Sequence, residues 1–170
     1  MPQQPARFPL IDGFEFAAAS GRMRGTWPVS NLPRLREELH DEAGAVEFEL
    51  RGGCDAHGRP QLELRASATL QLTCRRCLAA VECVLGTEAT LLLAGSQKEI
   101  DAEPIRAEGP EWIVARKAMA LRDLVEDELL LALPYAPRHE NCPAQGRDAP
   151  GTRHTPLAGL RGMLRGKNRH

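Results

Sequence analysis

The chain has 170 residues and a mass of 18.7 kDa, with 42% hydrophobic and 26% charged residues. That is the composition of one globular domain with or without a tail, and it argues against a disordered or disulfide-dependent chain. Only 4% of residues are aromatic, too few for a sheet that stacks rings on single-stranded bases, and the formal net charge of −1 names no partner.

The near-neutral total hides a split. Residues 1–145 carry 16 basic and 22 acidic side chains, net −6, whereas residues 146–170 carry six basic and one acidic, net +5. An acidic body is joined to a basic tail, and such a tail suits nucleic acid or an acidic surface.

The first ten residues contain three prolines and no apolar run, so no signal peptide is expected. No stretch approaches the 18 or so uninterrupted apolar residues of a membrane span. The expected location is the cytoplasm. There, the five cysteines Cys54, Cys74, Cys77, Cys83 and Cys142 are thiols or metal ligands before they are disulfides.

Alternation of Met23, Gly25, Trp27 and Val29 with polar neighbours predicts a short strand, with Pro28 marking its end or a sheet edge. Asn31 is placed to cap a helix over residues 32–40, with Pro33 in its first turn. Val46, Phe48 and Leu50 predict a second strand. Gly52-Gly53 and residues 57–60 flank the loop of a hairpin. Leu62, Leu64, Ala66, Ala68, Leu70 and Leu72 then share one parity over a dozen residues, which predicts a long, half-buried antiparallel strand. Val81, Cys83, Leu85 and residues 90–94 supply the strand that returns beside it.

Residues 95–109 are polar, acidic and interrupted by Pro104, and read as a long loop or insertion. Residues 119–133 turn helical, with Leu121, Leu124, Val125 and Leu129 as the apolar stripe and Asp123, Glu126, Asp127 and Glu128 as an acidic face. Pro134 and Pro137 stop that helix. Beyond a linker, Leu157, Leu160, Met163 and Leu164 share one face of a short helix weakened by Gly159, Gly162 and Gly166, suited to folding on a partner. The expected architecture is an α+β domain over residues 1–143, a mostly antiparallel sheet packed by two or three helices. A linker and flexible basic C-terminal tail follow over residues 144–170.

The sharpest local motif is Cys74-Arg75-Arg76-Cys77 at the end of the long strand. Two thiolates at this spacing grip one tetrahedral Zn²⁺ when the backbone turns between them, and a second pair is then required. His139 and Cys142 offer it, completing a closed Cys₃His site that would staple the helix exit to the hairpin tip. The 61 intervening residues are long for a compact zinc finger. Two other readings stand beside zinc: unliganded thiols at a strand end, and a redox dithiol whose thiolate Arg75 and Arg76 would favour. Against redox chemistry, a thioredoxin-like motif opens a helix in a βαβ unit, and this one caps an antiparallel strand. Cys54 and Cys83 read as small apolar residues.

There is no phosphate-cradling glycine loop, GxSxG elbow or HExxH, and His40, His57, His154 and His170 lie scattered in polar contexts. No catalytic residue is expected. The acidic set Asp123, Glu126, Asp127 and Glu128 reads as a solvated helix face, or as a docking face for a basic protein partner.

Residues 72–78, Leu-Thr-Cys-Arg-Arg-Cys-Leu, and residues 124–134, Leu-Val-Glu-Asp-Glu-Leu-Leu-Leu-Ala-Leu-Pro, together resemble the bacterial YceD family. Pro137-Arg138-His139 with Cys142, and Thr155-Pro156-Leu157-Ala158-Gly159-Leu160 before a basic end, are similar to it as well. The resemblance implies a role in ribosome production, namely accumulation of 23S ribosomal RNA through its synthesis, processing or stability, with no enzymatic activity. Some members carry further cysteines at the positions of His139 and Cys142, which implies a metal-binding origin. The implied partners are ribosomal RNA, a large-subunit ribosomal protein or a processing factor. Phosphate contacts require clustered Lys and Arg, so Arg161, Arg165, Lys167 and Arg169 of the tail are the candidate RNA contacts and the acidic helix the candidate protein contact.

Overall fold

A computed structural model describes residues 8–104 and 109–142. The candidate RNA contacts Arg161, Arg165, Lys167 and Arg169, the linker and tail, and the helix expected near residue 160 lie outside the described residues.

The long alternating strand forms the spine of the fold. It runs over Pro60–Thr73 as β4, between β3 (Ala45–Cys54) and β5 (Ala80–Ala94), both antiparallel to it. Strand β2 (Arg22–Pro28) pairs antiparallel with β3 and forms one edge of the sheet; Pro28, which cannot donate to a ladder, ends it. At the other edge β6 (Glu111–Val114) pairs parallel with β5, giving the order β2-β3-β4-β5-β6. The fold is therefore α+β with a mostly antiparallel sheet.

Register explains the core. Leu50 faces Leu64, Val46 faces Ala68 and Leu62 faces Leu91, so one sheet face is a continuous apolar surface with these leucines fully buried or nearly so. The opposite face carries Arg22, Glu49, Arg51, Arg65 and Glu88, linked as ion pairs, including Arg65 to Glu88 at 2.6 Å. Helices α1 (Gly13–Ala18) and α4 (Leu121–Ala132) pack on the apolar face, α1 over β3 and β4 and α4 over β4 and β5. On α4, Leu121, Val125 and Leu129 are fully buried, as the stripe predicts.

Several elements depart from the sequence expectation. The helix expected over 32–40 is the shorter α2 (Pro33–Glu37), preceded by a 3₁₀ turn at Val29–Asn31. Asn31 is not its cap: the N-cap is Leu32, which makes no side-chain hydrogen bond. Gly52 and Gly53, by contrast, flank the hairpin loop as expected, within the end of β3. Gly52 is needed because α1 lies directly over it. A Cβ there would come within 2.9 Å of the Ala17 Cα and nearer still to the Phe16 carbonyl. The 95–109 segment contains α3 (Gln97–Ala102) and is not wholly a loop. Helix α1 arises from the Asp12 cap, whose Oδ1 accepts from the Glu15 amide at 3.1 Å. Two two-residue strands, β1 (Leu10–Ile11) and β7 (Met119–Ala120), pair antiparallel and fix the segment before α1 to the start of α4. Among the described residues, no helix is long and apolar enough to cross a membrane.

Candidate metal centre and acidic helix

Cys74 follows the last residue of β4 and is fully buried. The backbone turns at once. The Leu78 amide donates to the Cys74 carbonyl at 2.9 Å, and the Cys74 amide donates to the Ala79 carbonyl at 2.9 Å, closing a knuckle before β5 begins. Leu78 holds φ at +62°, a conformation that costs a side-chain-bearing residue about 1 kcal/mol, and its side chain is 66% exposed. Leu78→Gly is expected to stabilise the protein by about 0.5–1 kcal/mol in a denaturant melt. Unchanged or lower stability would contradict the strain assigned to Leu78.

The second ligand pair arrives from α4. That helix runs back over β4 and β5, and extended Leu133 before Pro134 ends it. The Arg75 amide donates to the Pro137 carbonyl at 2.9 Å, which docks the segment on the knuckle. Cys74, Cys77, His139 and Cys142 then converge, with all four ligand atoms within 4.8 Å of one another. Cys74 Sγ lies 3.7 Å from Cys142 Sγ, and Cys77 Sγ lies 3.5 Å from His139 Nδ1. A tetrahedron with ordinary Zn–S and Zn–N bond lengths has edges of about 3.8 and 3.6 Å, respectively. The fold thus brings together two pairs separated by 61 intervening residues in the chain.

The outer nitrogen of His139 is also held: Nε2 lies 2.8 Å from the Ala80 carbonyl. With Nε2 donating there, Nδ1 is left with its lone pair toward the sulfurs, the tautomer a metal needs. Backbone N–H groups of Cys77, Arg76 and His139 donate to the Cys74 sulfur and depress its thiol to about 5, the Cys77 amide most of all. The cause is main-chain hydrogen bonding, and not the Arg75 and Arg76 charges that the redox reading invoked. Its hydrogen bond to Cys74 raises the His139 imidazole, and burial foremost pushes the Cys142 thiol up to about 11. The depressed Cys74 thiol therefore sits among groups that would gain from a divalent cation in their midst. The other cysteines stand apart: Cys83 packs partly buried against the core, whereas Cys54 is exposed and not the apolar filler expected.

The acidic residues of α4 do not form one solvated face. Asp123 and Asp127 are exposed, but Asp127 pairs with Arg34 at 2.7 Å and the Asp123 carbonyl accepts from the same guanidinium at 3.1 Å. Glu126 is 1% exposed. Its Oε1 accepts from the Arg34 and Leu35 amides at 2.9 and 3.3 Å, the two donors an N-cap side chain ordinarily satisfies. Glu126 is thus the cap of α2, supplied from 92 residues away. Glu128 is 9% exposed, and burial first, then Glu111 and Asp127, raises its carboxyl above the ordinary range. Sequence reasoning missed both Arg34 and Glu111. Nothing local marks either one, because their roles appear only when α2 and β6 meet α4.

A family model described as large ribosomal RNA subunit accumulation protein YceD matches residues 62–155, which include nearly all of β4, the knuckle, α4 and all four candidate ligands. No curated protein and no solved structure gives a significant match.

Proposed function

The chain belongs to the YceD family, and from that membership we propose that it is a non-catalytic accessory protein in ribosome biogenesis, supporting 23S rRNA in the cytoplasm by binding. The family match carries this reading. The described residues support it by what they emphasise. Among the described residues, Cys74, Cys77, His139 and Cys142 come together as a Cys₃His group, the donor set of structural zinc sites. In this reading Cys74, Cys77, His139 and Cys142 hold one zinc ion, which pins the chain after α4 to the hairpin tip. The ion supplies structural cross-linking, and the residues supply three sulfurs and an oriented imidazole. The division of labour follows the charge: the body, residues 1–143, meets protein through α4, and Arg161, Arg165, Lys167 and Arg169 of the 144–170 tail meet RNA.

Deleting residues 146–170 is expected to reduce co-sedimentation of the chain with large-subunit precursor particles. Four lost phosphate contacts flatten the salt dependence of binding by about 3–4 in log–log slope. Sedimentation and salt slope unchanged by the deletion would contradict the tail's part.

A further inference from the structure

Strand β6 and helix α4 enclose a cleft of about 290 Å³ with apolar walls that include Ile113, Leu124 and Leu131. Two carboxylates that have no partner among the described residues line it. Glu128 is nine-tenths buried, yet makes no hydrogen bond or ion pair among the described residues, and neither does Glu111. The neighbouring Asp127 is already engaged by Arg34, and the other inward-facing carboxylate of α4, Glu126, is satisfied by two amides. Leu131, at the rim, is 74% exposed. The Glu128 stem is buried, while its carboxylate oxygens still reach the cleft, since no fully buried side-chain oxygen among the described residues lacks a partner; an apolar slot with negative groups at its mouth matches a side chain with an aliphatic stem and a cationic head.

We propose that this cleft receives a lysine or arginine side chain from a basic protein partner, with the stem against Leu124 and Leu131 and the charged head between Glu111 and Glu128. The proposal rests on the reading of α4 as the protein contact and sharpens it. The recognising pair is Glu111 and Glu128, and the remaining acidic residues of α4 serve the chain's own packing. RNA is excluded as the occupant because its phosphates would meet two carboxylates.

Glu128 also permits a test that a folding defect cannot mimic. Its carboxyl is raised in the fold, by burial and by the charges of Glu111 and Asp127, so its ionisation weakens the folded state. The favourable contribution is complete below the unfolded carboxyl value and is lost as pH rises through the folded one. Glu128→Gln, which cannot ionise, should therefore be at least as stable as the wild type at pH 7, with the advantage shrinking toward pH 4.

The experiment follows backbone amides of the full chain by NMR during titration with a short amphipathic lysine–leucine peptide. Its glutamine-for-lysine counterpart and a fragment of 23S rRNA serve as alternative probes. The lysine peptide is expected to shift Glu111, Leu124, Glu128 and Leu131. E128Q should weaken binding about tenfold or more, and E47Q on the far sheet face should leave it unchanged. Absence of shifts, equal binding by E128Q, or the same amides responding to the RNA would overturn the proposal. So would peptide binding that emerges only after Arg106→Ala or Lys167→Ala, since the chain's own cation would then be the occupant. Peptide failure with intact sedimentation on precursor particles removes the cleft alone; failure of both removes the wider reading.

Discussion

Protein purified without chelator is expected to carry about one zinc per chain, and Cys74→Ser to carry less than about 0.1. Removing the metal should cost on the order of 4 kcal/mol, the range reached by losses of a structural metal. The size follows from what surrounds the four ligands. Cys74 and Cys142 are buried, with their sulfurs 3.7 Å apart, and the Cys74 thiol is already depressed to about 5 by main-chain donors. Without a cation, a thiolate at buried Cys74 has only hydrogen bonds to offset its charge. The loss should be local at first. Hydrogen exchange should rise at residues 74–80 and 137–142, while the β3–β4–β5 core keeps its protection, because Cys74 and Cys142 lie outside the hydrophobic cluster that forms that core. A full-length chain that binds no zinc, or one whose stability and exchange ignore chelation, would contradict the assignment.

Glu126→Ala should be the most damaging substitution outside the cysteines, costing about 3 kcal/mol in a denaturant melt. It strips the acceptor from two amides at the start of α2 and the carboxylate beside Arg34, whose guanidinium lies 3.5 Å from Glu126 Oε2. Glu126→Gln keeps an oxygen for the amides and should cost about half as much. The exposed pair Arg65 and Glu88 sets the contrast: breaking it should cost under about 1 kcal/mol, since both partners remain in water. A loss of less than about 0.5 kcal/mol from E126A would refute the capping role.

What the sequence reveals depends on how far each signal reaches along the chain. The period-two run from Leu62 to Leu72 states strand, burial and face together, and β4 follows it. The apolar stripe of α4 is equally plain. The candidate ligands can be paired from chemistry alone, because Cys-x-x-Cys and His-x-x-Cys each look incomplete. The distances that make them one site arise only once α4 has folded back across the sheet. Elements stabilised by distant partners were illegible. Strand β6 spans only Glu111–Val114 and exists as the parallel neighbour of β5, and β1 and β7 are two residues each and define one another. The start of α2 was misread for the same reason. Asn31 has the right chemistry for a cap, but the acceptor that satisfies Arg34 and Leu35 sits on α4. The four carboxylates of α4 looked alike in sequence, and burial divides them into a cap, a cleft group and two surface aspartates.

The proposed function is that of a zinc-pinned binding platform, with its protein contact on α4 and its RNA contact in the basic tail. The most direct measurement is the ratio of 23S to 16S rRNA in cells depleted of this chain. The account predicts a fall in that ratio, restored by the wild type and less well by E128Q. An unchanged ratio after depletion would contradict it.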